Sequence, residues 1–134
     1  MAIEELHYIS YPEAVFLHVD VMRFYGEIHF GVAFPELIKS ALARPQQAAV
    51  YENADLFRQA ATLCFGLIKN PPWVGGNKRT ATHVTETFLL ANGWEIRGST
   101  AEVVNVVLAI EADRHSVDDI EAWYRQRAIQ SKGT

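Results

Sequence analysis

The chain contains one cysteine, Cys64, so no disulfide can form within it, and that usage suits a reducing, cytoplasmic setting. It has no apolar run long enough to span a bilayer, no signal-peptide pattern, no internal repeat and no low-complexity stretch. Its five histidines are scattered, none at ligand spacing from another histidine, cysteine or carboxylate, which argues against a metal-bound catalytic centre. From Leu56 to Thr85 there is neither Asp nor Glu, although the formal net charge is −4. Arg58, Lys69, Lys78 and Arg79 all fall in that window. One basic zone in an acidic chain suits a small anionic ligand better than nucleic acid, which needs a broader basic surface.

What is present reads as helix. With 134 residues and 49% hydrophobic composition, the chain is expected to form one compact all-α domain over 1–134, its core at about 9–128 and a flexible tail at 129–134. Ser10-Tyr11-Pro12-Glu13 has the form of a capping box, followed by apolar residues at helical spacing up to Gly26. Pro35 to Ala43 reads as a shorter helix stopped by Pro45. From Ala54 to Lys69, Phe57, Ala60, Ala61, Cys64, Leu67 and Ile68 make a broad apolar face, which predicts the central helix and a buried, inert Cys64. A helix from Asn77 to Asn92 should close on Gly93, and Trp94 to Arg97 reads as a short extended piece. Thr100 to Ala112 and Ser116 to Ala128 complete about six helices, with Ser116 as the cap of the last. His18 is expected to be a packed helix residue and not a catalyst.

The most informative stretch is Ile68-Lys69-Asn70-Pro71-Pro72-Trp73-Val74-Gly75-Gly76-Asn77-Lys78-Arg79-Thr80-Ala81. A proline-stiffened loop turns through two glycines into a helix, leaving unpaired backbone N–H groups at the positive end of the helix dipole. Asn77, Lys78 and Arg79 add donors at the same end, and together these groups make a seat for a phosphate. His83 lies four residues after Arg79, on the same helix face and one turn further from the loop.

Lys69 to Ala81 resembles the signature of the Fic/Doc family, in the branch of the toxin "death on curing". That signature runs His, Pro, an aromatic, any residue, Asp or Glu, Gly, Asn, Lys, Arg. Laid on from Arg79, it matches Lys78, Asn77, Gly76 and Pro72, with Trp73 as the aromatic. The catalytic His falls on Pro71 and the acidic residue on Gly75. Four more landmarks keep family order: Leu17-His18 with Tyr25-Gly26, Ser40 to Pro45, Phe88 to Gly93, and Ile120 to Trp123.

The resemblance implies a Fic/Doc-type helical domain and a toxin of a toxin–antitoxin pair. Its activity would be ATP-dependent phosphorylation of a threonine of elongation factor Tu. The partner would be an antitoxin whose disordered C-terminal segment folds as a helix into a groove. In the family the loop His acts on the target hydroxyl, the acidic residue helps to hold metal and phosphates, and Asn and Arg hold phosphates. Here those roles fall on Pro71, on Gly75 and on Asn77 with Arg79; Gly76 and Lys78 complete the nucleotide seat, and Asn70, Pro72, Trp73 and Val74 support it, with Lys69 and His83 accessory. Most relatives that transfer AMP carry a second Arg where Thr82 stands, which favours phosphate transfer. A proline has no group to take a proton and Gly75 cannot coordinate a cation, so Mg²⁺ would come with the nucleotide. The expectation is a weak or inactive copy; the alternatives are a pseudoenzyme that binds nucleotide or a partner, and a Fic-type AMP transferase. No direct nucleic-acid or membrane contact is implied.

Overall fold

Among the described residues, three of the six helices begin the same way, with a serine whose side chain accepts the N–H of the third helical residue while that residue's carboxylate returns to the serine N–H. Ser10 with Glu13, Ser99 with Glu102 and Ser116 with Asp119 start α1 (Tyr11–Phe24), α5 (Thr100–Glu111) and α6 (Val117–Arg127). Asp55 caps α3 (Leu56–Lys69) through the Arg58 N–H. The remaining helices, α2 (Pro35–Glu52) and α4 (Asn77–Ala91), have no side-chain cap. The computed structural model describes residues 5–131.

The helix expected to stop at Ala43 does not stop. α2 passes through Pro45 and ends seven residues later, where Asn53 turns left-handed at φ 53°. Proline removes the N–H that Ala41 would accept, at a cost of about 3 kcal/mol in a helix interior. Burial supplies the offset: Ile38, Ala41, Pro45 and Ala48 recur at helical spacing and face α3, so the proline ring lies in the packed seam.

The central position expected for the third helix is observed. α3 touches α2, α4, α5 and α6, and nine of its fourteen residues are buried. Its alanines, Ala60 and Ala61, let the neighbours approach, and Leu63 and Leu67 meet Phe88, Ile110, Ile120 and Tyr124 in the core. Cys64 is buried there, and burial pushes its thiol up to about 11, so it stays a protonated packing group. Outside the core, Arg58 pairs with Asp118 and Glu121, and Arg125 with Asp55 and Glu121, clasping α6 to α3.

The short extended piece is also present, and it has a partner. β1 (Trp94–Ile96) pairs antiparallel with β2 (Ala128–Gln130), Glu95 opposite Ile129. Residues 129 and 130, assigned above to a flexible tail, are therefore strand; the last three positions of that tail, 132–134, lie outside the described residues. Alternation along Trp94–Ile96 was legible, whereas a three-residue partner right after a helix carries no pattern of its own. Among the described residues no helix is long and apolar enough to cross a membrane.

The proline in α2 yields a stability test. Replacing it restores an N–H for Ala41 but loses some buried ring surface and some restraint on the unfolded chain, each worth about 1 kcal/mol. Pro45→Ala should therefore raise the unfolding free energy by about 1 kcal/mol in urea titrations followed by circular dichroism. A helix that in reality ended at Ala43 would give no gain.

Candidate functional site

The loop between α3 and α4 is held from both sides. Asn70 closes α3, its N–H bonding to the Gly66 carbonyl at 3.1 Å. The Pro72 carbonyl then accepts the N–H groups of Ala33 (2.9 Å) and Phe34 (3.0 Å), and the Val74 N–H donates to the Gly31 carbonyl at 2.8 Å. Val32 and Trp73 sit opposite one another in a single antiparallel bridge. The segment before α2 thus forms a strap across residues 71–76. Asn77 ties the loop from the helix side: its Oδ1 accepts the Trp73 N–H at 2.9 Å and its Nδ2 donates to the Trp73 carbonyl at 3.0 Å.

Beneath the strap lies His18, 0% exposed. The Gly31 N–H donates to its Nε2 at 3.1 Å, which requires Nε2 to be unprotonated; the proton therefore sits on Nδ1, which faces Thr80 Oγ1 at 2.9 Å. The imidazole stacks on the Trp73 indole with centroids 4.3 Å apart and planes 11° from parallel. Burial lowers its pKa below the ordinary histidine value of 6.5. His18 is packed, as its sequence position implies. What the sequence did not disclose is that its partners are the aromatic of the loop and the first turn of α4.

Gly75 and Gly76 make the turn into α4 at φ 69° and 62°, in the left-handed region. A Cβ on Gly76 would overlap the Met22 sulfur, so only glycine fits there. At Gly75 the nearest atoms to such a Cβ are the His29 carbonyl oxygen at 3.7 Å and Met22 Cε at 3.8 Å, which is ordinary contact. Thr80 makes the first backbone bond of the helix, to Gly76, and the N–H groups of Asn77, Lys78 and Arg79 find no protein acceptor among the described residues. These three donors lie at the positive end of a fifteen-residue helix, an arrangement able to receive an anion.

The side chains expected to reinforce the seat are otherwise engaged. Lys78 reaches Glu111 (3.2 Å), Arg79 lies over the Tyr25 ring at 4.0 Å with Glu27 at 3.7 Å, and Asn77 is committed to Trp73. Both cations are half exposed, so their ion pairs are worth about 0–1 kcal/mol and can be exchanged for an anion. The basic window does not form one surface: Arg58 serves the α3–α6 clasp at the far end of α3, and Lys69 pairs with Asp113. Pro71, Val74 and Gly75 are exposed, and Pro72 and Trp73 are buried. His83 points away from the loop, with Nε2 3.6 Å from Asp20 of α1. Among the described residues no three of His, Cys, Asp or Glu gather as a ligand set.

A groove runs from this junction between α1, α4 and α5. Its lining includes Asp20, Phe24, Arg79, His83, Glu86 and Val104. These residues were not singled out from the sequence, apart from Arg79 and His83. The available signal was an apolar residue on the wrong face: Phe24 lies on the outer side of α1, 81% exposed.

A family model described as the Fic/DOC family matches residues 8–89, more than half of the chain, from the approach to α1 through most of α4. No curated protein matches the chain.

The buried imidazole makes stability depend on pH. An unfolded chain protonates His18 near 6.5 and the folded chain only at lower pH, so below about 6.5 the unfolded state binds more protons. The contribution is complete above 6.5 and is lost as pH falls toward the folded value. His18→Phe should cost about 2–4 kcal/mol at pH 7.5, leaving Thr80 and the Gly31 N–H without their partner. It should also lose less stability than the parent chain between pH 7.5 and 5.5, read as urea midpoints.

Proposed function

Because the chain belongs to the Fic/DOC family, we propose that it is the toxin of a toxin–antitoxin pair, of the "death on curing" branch, carrying a loop without its proton acceptor. The supporting observation is the junction itself, a left-handed Gly75–Gly76 turn opening onto the free N–H groups of Asn77, Lys78 and Arg79. Those donors fit the phosphates of ATP. Lys78 and Arg79 would join them on leaving their exposed pairs, and Mg²⁺ would enter with the nucleotide.

ATP would supply the phosphoryl group for a threonine of elongation factor Tu; this chain's residues would bind the phosphates and shape the loop. By the resemblance of the motif the proton acceptor falls on Pro71, whose ring cannot act as a base, and the loss of a general base typically removes about 10²- to 10⁴-fold in rate. Neither neighbouring imidazole takes the place of the loop acceptor. His18 is sealed beneath the strap with both nitrogens engaged, and His83 faces Asp20 in the groove. We assign the groove to the helical segment of the antitoxin.

Nucleotide binding is the first test. ATP titrated by NMR should perturb Gly75 to Arg79, and Arg79→Ala should weaken binding by roughly tenfold, the worth of one charge-assisted contact. Unperturbed resonances at millimolar ATP would remove the phosphate seat.

Restoring the signature is the second test. Pro71 is exposed, so Pro71→His buries nothing, and Gly75→Asp meets only ordinary contacts, with Asp among the residues that best tolerate φ near +69°. The parent chain should be tolerated on induction, and the double variant should arrest growth and phosphorylate elongation factor Tu. Arrest by the parent chain that disappears in His83→Ala would instead give the catalytic role to His83. An inert double variant would favour a pseudoenzyme that binds nucleotide or partner.

A further inference from the structure

The groove beside the loop is lined by two kinds of residue that water serves poorly together. On α1 the outer stripe reads Phe16, Asp20, Phe24, each four residues from the last. On α4 the matching stripe reads Arg79, His83, Glu86, Leu90, and Phe16, Phe24 and Leu90 are all more than half exposed. Val103 and Val104 of α5 form the third wall, because α5 packs on α3 and stands off from α4. From Arg79 to Glu86 the groove follows seven residues of α4, about 10 Å, which is the length of two turns of a partner helix.

Glu86 lines that groove from α4. Its carboxyl is half-buried, loss of water raises its pKa, and no lysine or arginine lies within ion-pair distance among the described residues. Asp20, across the furrow on α1, has only His83, at 3.6 Å. The remaining charges on these walls are Arg79 and Lys78 at the loop end, each already paired with a carboxylate. The groove therefore holds two carboxylates, Asp20 and Glu86, with no lysine or arginine paired to either among the described residues, which an apolar occupant would bury at a cost of several kcal/mol.

We infer that the segment occupying this groove is an amphipathic helix whose apolar face carries one lysine or arginine, set opposite Glu86 and Asp20. This rests on the partner reading above and adds the occupant's chemistry to it. The flanking positions of that helix would be apolar, packing on Phe24, Val103 and Val104. A basic residue supplies to Glu86 what the chain itself lacks, and rejects competing helices whose apolar face is uncharged or acidic.

The experiment uses the small protein encoded immediately upstream of this gene, co-expressed and purified, together with a synthetic peptide of its C-terminal segment. Binding is measured by calorimetry against the parent chain, Glu86→Gln and Glu86→Lys, with melting curves to show that each variant is folded. Glu86→Gln is expected to weaken binding by at least about tenfold, and Glu86→Lys should abolish it. Exchange of the basic residue of the peptide for Glu should restore binding to Glu86→Lys only. Tight binding that Glu86→Gln and Glu86→Lys leave unchanged overturns this inference and leaves the toxin–antitoxin reading standing. Absence of any upstream-encoded partner overturns both. Self-association of the chain that Phe24→Asp removes would assign the groove to a second copy and overturn the basic helix.

Discussion

One buried imidazole connects the parts on which the site depends. His18 touches α4 through Thr80, the strap through Gly31 and the loop through the face of Trp73, and each contact comes from a different stretch of chain. The Gly31 N–H can donate only to an unprotonated Nε2, so the neutral tautomer is a condition of the strap lying where it does. Held there, the strap receives Val74 and donates to Pro72, and the loop has no freedom to open away from the helix start. The position of the glycine turn that opens α4 thus follows from a hydrogen bond buried beneath the strap.

The junction divides into parts that set shape and parts that face solvent. Trp73, Gly76 and Asn77 set shape: the indole is buried on His18, Gly76 leaves room for Met22, and the Asn77 amide grips the Trp73 backbone with both of its polar atoms. Pro71 and Gly75 face solvent and hold nothing else in place. An asparagine in this position looks like a ligand donor in the sequence and acts in the structure as a staple. Its replacement by Asp would lose the donor to the Trp73 carbonyl and set a charge against it.

Much of the fold was legible because local signals agreed with tertiary ones. The serine caps at Ser10 and Ser116, the broad apolar face of residues 54–69 and the alternation at Trp94 to Ile96 each appear where their patterns place them. Pro45 was misread because propensity counts only the lost N–H, whereas packing against α3 decides. The glycine turn of the site was legible as well. The strap was not, since residues 27–34 carry no periodicity and their role depends on meeting a loop forty residues away. The acidic pair in the groove was equally hidden, because Asp20 and Glu86 are ordinary helix residues until α1 and α4 are set side by side.

The solvent-facing placement of Pro71 and Gly75 bears on how such a chain can change over generations. Substitution at Pro71 touches neither the aromatic stack nor the Asn77 staple, whereas Gly75 holds φ 69°, which side chains other than Asn and Asp adopt only with strain. Gly76 and His18 have no such latitude, since the first is closed by a thioether and the second holds two elements together. Pro71 can therefore change while the scaffold around it is preserved by the requirements of folding alone.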